Sequence, residues 1–392
     1  ELKGVHYHTY LVESQGDTYD GADESEEDSI SRPTFLEGLT LPQLRLPGAN
    51  NSLRGAETEE DLLALLSAID TSFKDSGIPL FPSDEVWKAA RAFQDCLPKA
   101  RESRRAAWLF RAEEGYRLDA LPRDVFEEVL DQAESLLSSN KNNNDGPFFC
   151  GPSITAADIV WTPLLERYAA QLPCLHEGLC PRSSSTTSSR RWPNLQRWYD
   201  AMDAVPAYVC RVKGDAPSWF KVLYTDPWWP RADLWHPRDT VGPKGELKAT
   251  EEESIDAFSG KRRIDELDNS MIWSEYASTR PHVAAESPAH EAAKILIRNR
   301  EALLSDAAGW LYAEGYDLMS IQDMDAALRR VVIFLLNSNG SSVGGDEANQ
   351  HHVADLLTYL DARMCVPRDM GNPPATSIRD LLRSVTAVVE RV

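Results

Sequence analysis

The sequence predicts a mainly helical protein, with a small α/β unit at its N-terminal end and an additional helical bundle at its C-terminal end. Three observations predict this class. From about Ser83 onward, apolar residues recur every three or four positions. Helix N-cap signals precede several of these stretches. Runs rich in β-forming residues are confined to the first part of the chain.

Residues 1–82 are predicted to form the small α/β unit. The run from His6 to Val12 is rich in β-formers and predicts a strand, and 41–46 predicts a second, shorter one. Thr58, with an acid at Asp61, forms a capping-box pattern that predicts the start of a helix. The apolar face of that helix is Leu62, Leu65, Leu66 and Ile69.

Residues 83–224 are predicted to be helical throughout. Ser83 is an N-cap candidate, and acids follow it in the first turn, where they interact favourably with the helix dipole. A second helix is predicted from about Arg123 to Ser138, and a later one from Asn194 to Val205. The Ser/Thr-rich stretch 181–191 predicts a surface loop.

The start of one helix in this block is specified twice. Thr155 and Asp158 have the spacing of a capping box. Ile154 and Ile159 occupy the two positions of a hydrophobic staple, which sets the angle at which the chain enters the helix. We therefore interpret Thr155 and Asp158 as folding residues.

The remainder of the chain divides into a linker, 225–286, and a helical bundle, 287–392. Four prolines and three tryptophans between Tyr224 and Pro243 predict an extended arm. In the bundle we expect about four helices, with N-caps at Ser287 and Ser320. Apolar stripes that predict core are Val331 to Leu336; Val353, Leu356, Leu357 and Leu360; and Leu381, Leu382, Val385, Val388 and Val392.

Charge and cysteine content restrict the function classes. The formal charge of −21 disfavours nucleic acid and anionic lipid surfaces as partners. The sequence contains no run of 18 apolar residues, so no membrane-spanning helix is predicted. Six scattered cysteines predict reduced thiols, and hence a chloroplast or cytoplasmic location. The spacing of Cys174 and Cys180 does not fit the common zinc motifs, so no metal is predicted.

Two motifs resemble the glutathione transferase superfamily. FFCGPSITAADIVWTPLLERY, residues 148–168, matches the family's capping-box pattern at Thr155, Ala157 and Asp158. RRWPNLQRWYDAMDAVPAY, residues 190–208, resembles its later Pro-Asn-Leu and Pro-Ala-Tyr pattern. The resemblance implies a glutathione-transferase-like helical domain at 83–224, preceded by a partial thioredoxin-like unit at 1–82.

The resemblance also implies a site for glutathione as a co-substrate. Leu41-Pro42 resembles the family's cis-proline turn, which pairs with the cysteinyl unit of glutathione. Glu57-Thr58 lies near the family's Glu-Ser pair, which holds the γ-glutamyl group. The alternative is that Pro42 is only a turn and Glu57-Thr58 only a helix start. In the family, the activating residue lies at the junction of the first strand and the first helix. When the motifs are matched as above, the given sequence has no counterpart of these two elements, so we assign no catalytic residue.

The second substrate of the family lies against the first helices of the helical domain. Trp87, Arg104, Trp108 and Arg111 fall in that region. Trp108 and Arg111 are three residues apart and are expected to share a helix face, which makes them the substrate candidates. The alternative is a packed tryptophan and a solvated arginine. Cys150 is interpreted as a buried thiol and not as a nucleophile.

Two functions remain open. One is glutathione-dependent conjugation or reduction of a small electrophile, which the Leu41-Pro42 turn and Glu57-Thr58 favour. The other is a non-catalytic scaffold or subunit of the transferase fold that binds a partner protein in a larger assembly, for example a photosynthetic one. The Trp/Pro arm and the added bundle favour it, and 366–371 resembles long transferase-like proteins of cyanobacteria and plastid-bearing organisms. A dimer is an expectation from the family alone.

Overall fold

The structure is a computed structural model with two helical cores, which a further helix connects and which meet at a polar joint. It describes residues 59–96, 110–113, 117–120, 123–139, 146–176, 179–182, 191–215, 218, 266–281, 283–313, 320–337 and 347–389. Of the predicted α/β unit it therefore describes only the last helix, and the two predicted strands lie outside these ranges. None of the described helices is both long enough and apolar enough to cross a bilayer.

The first core is built by six helices. They are α1 (Glu59–Ser72), α2 (Asp84–Cys96), α3 (Arg123–Ser139), α4 (Ala156–Leu175), α5 (Pro193–Met202) and α6 (Pro206–Arg211). Helix α4 is the central element, with Trp161, Leu164, Leu165 and Tyr168 wholly buried. Helix α1 joins the same core through Leu63 and Leu66. The predicted N-terminal unit thus contributes at least one helix to the packing of the helical domain.

The expectation that 83–224 is helical throughout is wrong at one place. Strands β1 (Phe110–Glu113) and β2 (Arg117–Ala120) form an antiparallel pair, with Phe110 opposite Ala120. Both stretches alternate apolar and charged residues, which is the period of a strand and not of a helix.

The later helix predicted from Asn194 to Val205 ends three residues earlier than expected. Helix α5 ends at Met202, and Val205 is extended, with φ −93° and ψ 108°, before α6 begins at Pro206. A residue that precedes proline disfavours the helical conformation, which accounts for the break. The spacing of Leu195, Trp198, Met202 and Val205 predicts one apolar face. The first three are buried, whereas Val205 lies after α5 and is half-buried.

Within the described residues of 287–392 the second core contains five helices, where about four were expected. They are α8 (Pro288–Arg298), α9 (Arg300–Ala313), α10 (Ile321–Leu336), α11 (Glu347–Arg363) and α12 (Asn372–Val389). The predicted caps are confirmed, because Ser287 accepts a hydrogen bond from His290 N and Ser320 accepts one from Asp323 N. The stripe on α11 is buried. The stripe on α10 is buried only in part, since Ile333 and Leu336 are exposed.

A further helix, α7 (Glu266–Ser278), lies inside the predicted linker and connects the two cores. Its Trp273 and Tyr276 are buried together with Cys210 of α6. The indole of Trp273 donates to the carbonyl of Ala285, just before α8. The linker of 225–286 therefore contributes a packed element between the two bundles.

The two cores meet at a polar joint formed by 213–215, Ser218 and 364–372. The hydroxyl of Ser218 accepts a 2.9 Å hydrogen bond from Val366 N, next to a cis peptide bond between Val366 and Pro367. Asn372 donates to the carbonyl of Gly214 at 3.0 Å. A Cβ atom on Gly371 would lie 1.9 Å from the carbonyl oxygen of Cys210, so only glycine allows this approach. An ion pair between Arg379 and Asp215 completes the joint.

Candidate functional site

The helical domain begins at a short segment that is held from both sides. The carboxylate of Asp70, on α1, accepts hydrogen bonds from Leu80 N at 2.9 Å and from Phe81 N at 3.1 Å. The carbonyl of Leu80 accepts a 3.0 Å bond from Ala156 N at the start of α4. These three bonds fix Phe81 relative to both helices.

Phe81 supports an aromatic surface on α2. Its ring stacks on that of Trp87, with the ring centres 4.2 Å apart and the planes at 26°. The guanidinium carbon of Arg91, one turn further along α2, lies 5.6 Å from the centre of the Trp87 ring. Both rings are half-buried and pack on the first core, whereas Lys88 and Arg91 are exposed. We call Phe81, Trp87, Lys88 and Arg91 the α2 surface.

Asp158 is the structural centre of the motif that precedes α4. Its Oδ2 accepts from the backbone N and the hydroxyl of Thr155, at 2.8 and 3.0 Å. Its Oδ1 accepts from Phe149 N at 3.0 Å and from the indole of Trp198 at 2.9 Å. Burial raises the pKa of this carboxyl, and the four donated hydrogen bonds oppose that shift. The predicted capping box is confirmed, and the carboxylate also joins α4 to α5.

Cys150 lies beside this motif, and its thiol is not activated. Burial, with a smaller contribution from the charge of Asp158, raises the pKa of Cys150 to about 12. Since the thiolate is the reactive form, the side chain is a poor nucleophile at neutral pH. The side chain is half-buried and not fully buried as predicted, and its raised pKa supports the interpretation that Cys150 is not a nucleophile.

A buried ion cluster lies at the other end of α4. Arg182, which is 1% exposed, pairs with Glu166 at 3.1 Å and with Asp203. Lys213 donates to the same oxygen of Asp203 at 2.8 Å, and the hydroxyl of Tyr208 donates to Glu166. The two cations and two carboxylates balance, as buried charges require. Burial opposes ionisation of Asp203, but the charges of Arg182 and Lys213 hold its pKa below the usual value.

The prediction of a surface loop at 181–191 is wrong for its first residues. Pro181 and Arg182 are buried, and Arg182 belongs to the core of the helical domain. Arg191, at the other end, is exposed and pairs with Glu127 and Asp131 of α3. The buried role was not predictable, because the partners of Arg182 are distant in the chain and serines and threonines follow it in the sequence.

The side chain of Glu134, on α3, fixes the position of the first turn of α5. The carboxylate of Glu134 accepts hydrogen bonds from Asn194 N at 3.0 Å and Leu195 N at 2.9 Å. The first N–H groups of a helix have no partner within the helix, so this carboxylate from a neighbouring helix satisfies them. The indole of Trp192 donates to Asp131 in the same row, at 2.7 Å.

Most of the predicted site residues lie outside the described part of the chain. This holds for the glutathione candidates Leu41, Pro42, Glu57 and Thr58 and for the substrate candidate Trp108. Arg111 is in strand β1, opposite Asp119, so the expectation that it shares a helix face with Trp108 is wrong for the backbone of Arg111. Trp87, in the same predicted region, lies on the α2 surface.

Comparison with known proteins assigns the central part of this fold. Residues 117–201, from the start of β2 to the last turn of α5, match the family model described as the glutathione S-transferase C-terminal domain. The chain contains a glutathione S-transferase C-terminal domain. Neither a curated protein nor a solved structure gives a significant match.

The matched glutathione S-transferase C-terminal domain includes the buried polar side chains described above. The match spans Glu134, Asp158, Arg182 and Trp198, the residues that hold α3, α4 and α5 together. These side chains are therefore parts of the domain's framework. The α2 surface lies before the matched range and is fixed to it through Ala156.

Proposed function

We propose that this chain is a glutathione-dependent enzyme that conjugates or reduces a small electrophile. The observation that carries the proposal is the match of residues 117–201 to the glutathione S-transferase C-terminal domain, in which Trp198 and Asp158 form a buried hydrogen bond between α5 and α4. The α2 surface supports it, because an aromatic pair held by Asp70 and Ala156 offers a rigid apolar platform for an electrophile.

The proposed glutathione residues are Leu41, Pro42, Glu57 and Thr58. Helix α1 begins at Glu59, so Thr58 immediately precedes it in the chain. The N–H groups at a helix N-terminus favour an anion, and glutathione carries two carboxylates. Bound glutathione would supply the thiolate nucleophile. The role of this chain's residues would be to hold its γ-glutamyl end, with Glu57 accepting from the α-ammonium group, and to place the electrophile against Trp87.

Retention of the full chain on immobilised glutathione tests this function. We expect retention and elution by free glutathione. Glu57→Gln should weaken glutathione binding about 10- to 100-fold, since a charge-assisted hydrogen bond contributes about 1.5–3 kcal/mol. Glu60→Gln, on the first turn of α1, is the matched control and should bind as the wild type does. Unretained wild-type protein would contradict the proposal.

The second candidate is a scaffold or subunit that binds a partner protein, in a photosynthetic or other assembly. The additional bundle favours it, because its helices α8 and α10 leave Ile297 57% and Ile321 59% exposed. Protein that flows through immobilised glutathione but co-purifies with a defined partner would favour this function. Size-exclusion chromatography of the full chain tests the expectation of a dimer.

We further propose a reducing compartment, the chloroplast or the cytoplasm, for this chain. The six cysteines are scattered along the sequence, and their spacing predicts no disulfide framework. Fractionation of the native cell, with detection of the full chain in each compartment, tests this proposal.

A further inference from the structure

Exposed hydrophobic side chains are concentrated on two helices of the additional bundle. Of the seven large hydrophobic side chains that are exposed among the described residues, four lie on α8 or α10. These four, which we call the α8–α10 surface, are Ile297, Ile321, Ile333 and Leu336. Single exposed hydrophobic residues are normal on a protein, whereas a contiguous set marks an interaction site.

Helices α8 and α10 run antiparallel and are joined near both ends. Nε2 of His290, in the first turn of α8, lies 3.2 Å from the carbonyl oxygen of Leu336, the last residue of α10. Arg300, just after α8, pairs with Asp325, near the start of α10, at 2.5 Å. Ile297 is seven residues after His290 and three before Arg300, so the helical period places it on the side of α8 that faces α10. Its exposed part therefore borders the groove between the two helices.

The other members of the α8–α10 surface lie along the same groove. Leu336 ends α10 where the first turn of α8 contacts it, and Ile333 is one turn before Leu336. Ile321 is one turn before Asp325, whose ion pair marks the opposite end of the groove. The apolar surface thus follows the groove from the start of α10 to its end.

Positive charge borders this surface on the α8 side. Lys294 and Arg298 are exposed and lie one turn apart, and Arg298 directly follows Ile297. In the part of the chain that the structure describes, Arg298 has no carboxylate within 4 Å. Lys294 pairs with Glu291, whose buried carboxylate also pairs with Arg211. The described cations on this side therefore outnumber the described carboxylates.

The α10 side carries the same excess of positive charge. The carboxylate of Asp325 is shared by Arg300 and by Arg329, whose side chain is 67% exposed. Arg330 has no carboxylate within 4 Å among the described residues. The exposed acid Asp323, in the first turn of α10, is held in its capping box. Cations thus border the α8–α10 surface on both of its long sides.

We propose that the α8–α10 surface binds an acidic, amphipathic helix of a partner protein. The groove between two packed helices accepts the apolar face of a third, which is a common mode of peptide recognition. Carboxylates at the two edges of that face pair with Lys294 and Arg298 on one side and with Arg330 on the other. This inference rests on the second candidate function, the scaffold, and gives the chemistry of its partner.

Charge favours an acidic helix over two other occupants. Residues 288–301 and 321–336 hold five basic and four acidic residues, whereas the whole chain holds 41 and 62. In a two-fold dimer this surface would meet itself, so that Arg298 and Arg330 would face like charges. An extended anionic lipid surface would meet the negative field of the whole chain. A single helix interacts mainly with the nearby cations, because charges are screened within about 8 Å at physiological ionic strength.

Two labelled peptides of about 18 residues, roughly five helical turns, test the inference by fluorescence anisotropy with the full chain. Both carry leucines at i, i+3, i+4 and i+7, and their polar positions are glutamate and glutamine in one and lysine and glutamine in the other. At physiological salt we expect the glutamate peptide to bind about tenfold more tightly, or better. The net charge of −21 alone predicts the opposite order, so this preference reports the local surface.

Substitutions on and off the surface locate the binding. Ile333→Asp should weaken the glutamate peptide about tenfold or more, because it places a negative charge in the apolar groove. The double substitution of Arg298→Gln and Arg330→Gln should remove the preference for glutamate over lysine. Met271→Asp, on α7, and Arg191→Gln, on the first core, replace exposed side chains elsewhere and should change neither affinity. Circular dichroism checks that each variant keeps the fold.

Three results would overturn the inference. The first is a lysine peptide that binds as tightly as the glutamate peptide. The second is a wild-type dimer in size-exclusion chromatography that Ile333→Asp dissociates, which would make a second copy the occupant. The third is binding to vesicles of phosphatidylglycerol and phosphatidylcholine that Ile333→Asp abolishes, which would make it a membrane.

Failure of this inference is distinguishable from failure of the scaffold function. A defined partner that co-purifies equally with wild type and Ile333→Asp would keep the scaffold and exclude this surface. Selective, Ile333-dependent binding of the glutamate peptide by a chain that co-purifies with no partner would keep the surface and remove support for the scaffold. Retention on immobilised glutathione is independent of both results, because the α8–α10 surface lies after the matched range 117–201.

Discussion

The indole nitrogen of Trp198 donates a 2.9 Å hydrogen bond to Oδ1 of Asp158, which lies 40 residues earlier in the chain. One carboxylate thereby fixes the start of α4 and the orientation of α5. Asp158 has no exposed surface. Its four donors would be left without a partner in the protein interior if the carboxylate were removed.

Asp158→Ala is expected to destabilise the protein by about 3–5 kcal/mol, because each buried donor left unsatisfied costs about 1–3 kcal/mol. Asp323→Ala is the matched control. Asp323 occupies the same position of a capping box on α10, but it is exposed, so its loss should cost about 0.5–2 kcal/mol. Urea unfolding of both variants measures the difference. Equal costs would show that Asp158 acts only as a helix cap.

Arg182→Met is expected to cost about 3–5 kcal/mol of unfolding free energy, since it leaves Glu166 and Asp203 buried with too little positive charge. Arg191, nine residues after Arg182, forms exposed ion pairs with Glu127 and Asp131. Its substitution Arg191→Met should cost no more than about 1 kcal/mol. Thermal unfolding of the two variants under one condition compares them. A cost for Arg182→Met as small as that for Arg191→Met would place Arg182 at the surface.

Stability should fall in acid partly through Asp203. Its pKa in the folded state is below the unfolded value of about 3.9, so ionised Asp203 stabilises the fold above about pH 4. This contribution is lost as the pH falls through the folded-state pKa. The free-energy difference between wild type and Asp203→Asn, measured by urea unfolding from pH 7 to pH 2.5, should therefore shrink at the acid end. A difference that is constant with pH would contradict the shift.

Cys150 is expected to resist alkylation in the native protein. With a pKa of about 12, about one thiol in 10,000 is ionised at pH 8. Iodoacetamide labelling followed by peptide mass spectrometry should find Cys150 unmodified in the native state and modified in urea. Cys150→Ser should leave any glutathione-dependent activity unchanged. Rapid labelling of the native protein would reopen a reactive role for this thiol.

Gly371→Ala is expected to weaken the joint between the two cores. The new Cβ would meet the Cys210 carbonyl at 1.9 Å, so the backbone must shift, at a cost of about 1–3 kcal/mol. Gly309→Ala, inside α9, is the control, because alanine raises helix propensity there. Calorimetry should show one unfolding transition in the wild type and broadening or separation in Gly371→Ala. An unchanged transition would mean that the joint adapts without loss.

Local signals in the sequence predicted much of the helical framework. The caps at Thr155, Ser287 and Ser320 depend on residues within four positions of one another, so they can be recognised without a fold. The stripe on α11 was predictable for the same reason. The hairpin of β1 and β2 was missed because each strand has only four residues, too few for the period to stand out against helical neighbours.

Contacts between distant residues were not predictable in this way. The partners Glu166 and Asp203 of Arg182 lie 16 and 21 residues away. Arg379 and Val366, which bond Asp215 and Ser218 in the joint, lie more than 140 residues away. Nothing in a Ser-rich stretch distinguishes a buried arginine from a solvated one. The α2 surface likewise depends on Asp70 and Ala156, whose contacts with 80–81 follow from the fold. The glutathione candidates remain predictions.

The joint also sets an order of events during synthesis. Helix α6 ends at Arg211, whereas the hydrogen bond that Ser218 accepts comes from Val366, 148 residues later. At about 5–20 residues per second, a ribosome needs roughly 7–30 s to add that stretch. Throughout this interval the residues of α12 that later contact α6 have not yet been synthesised. Translation stops in the bundle should therefore yield a first core that is folded and an α6 available to chaperones.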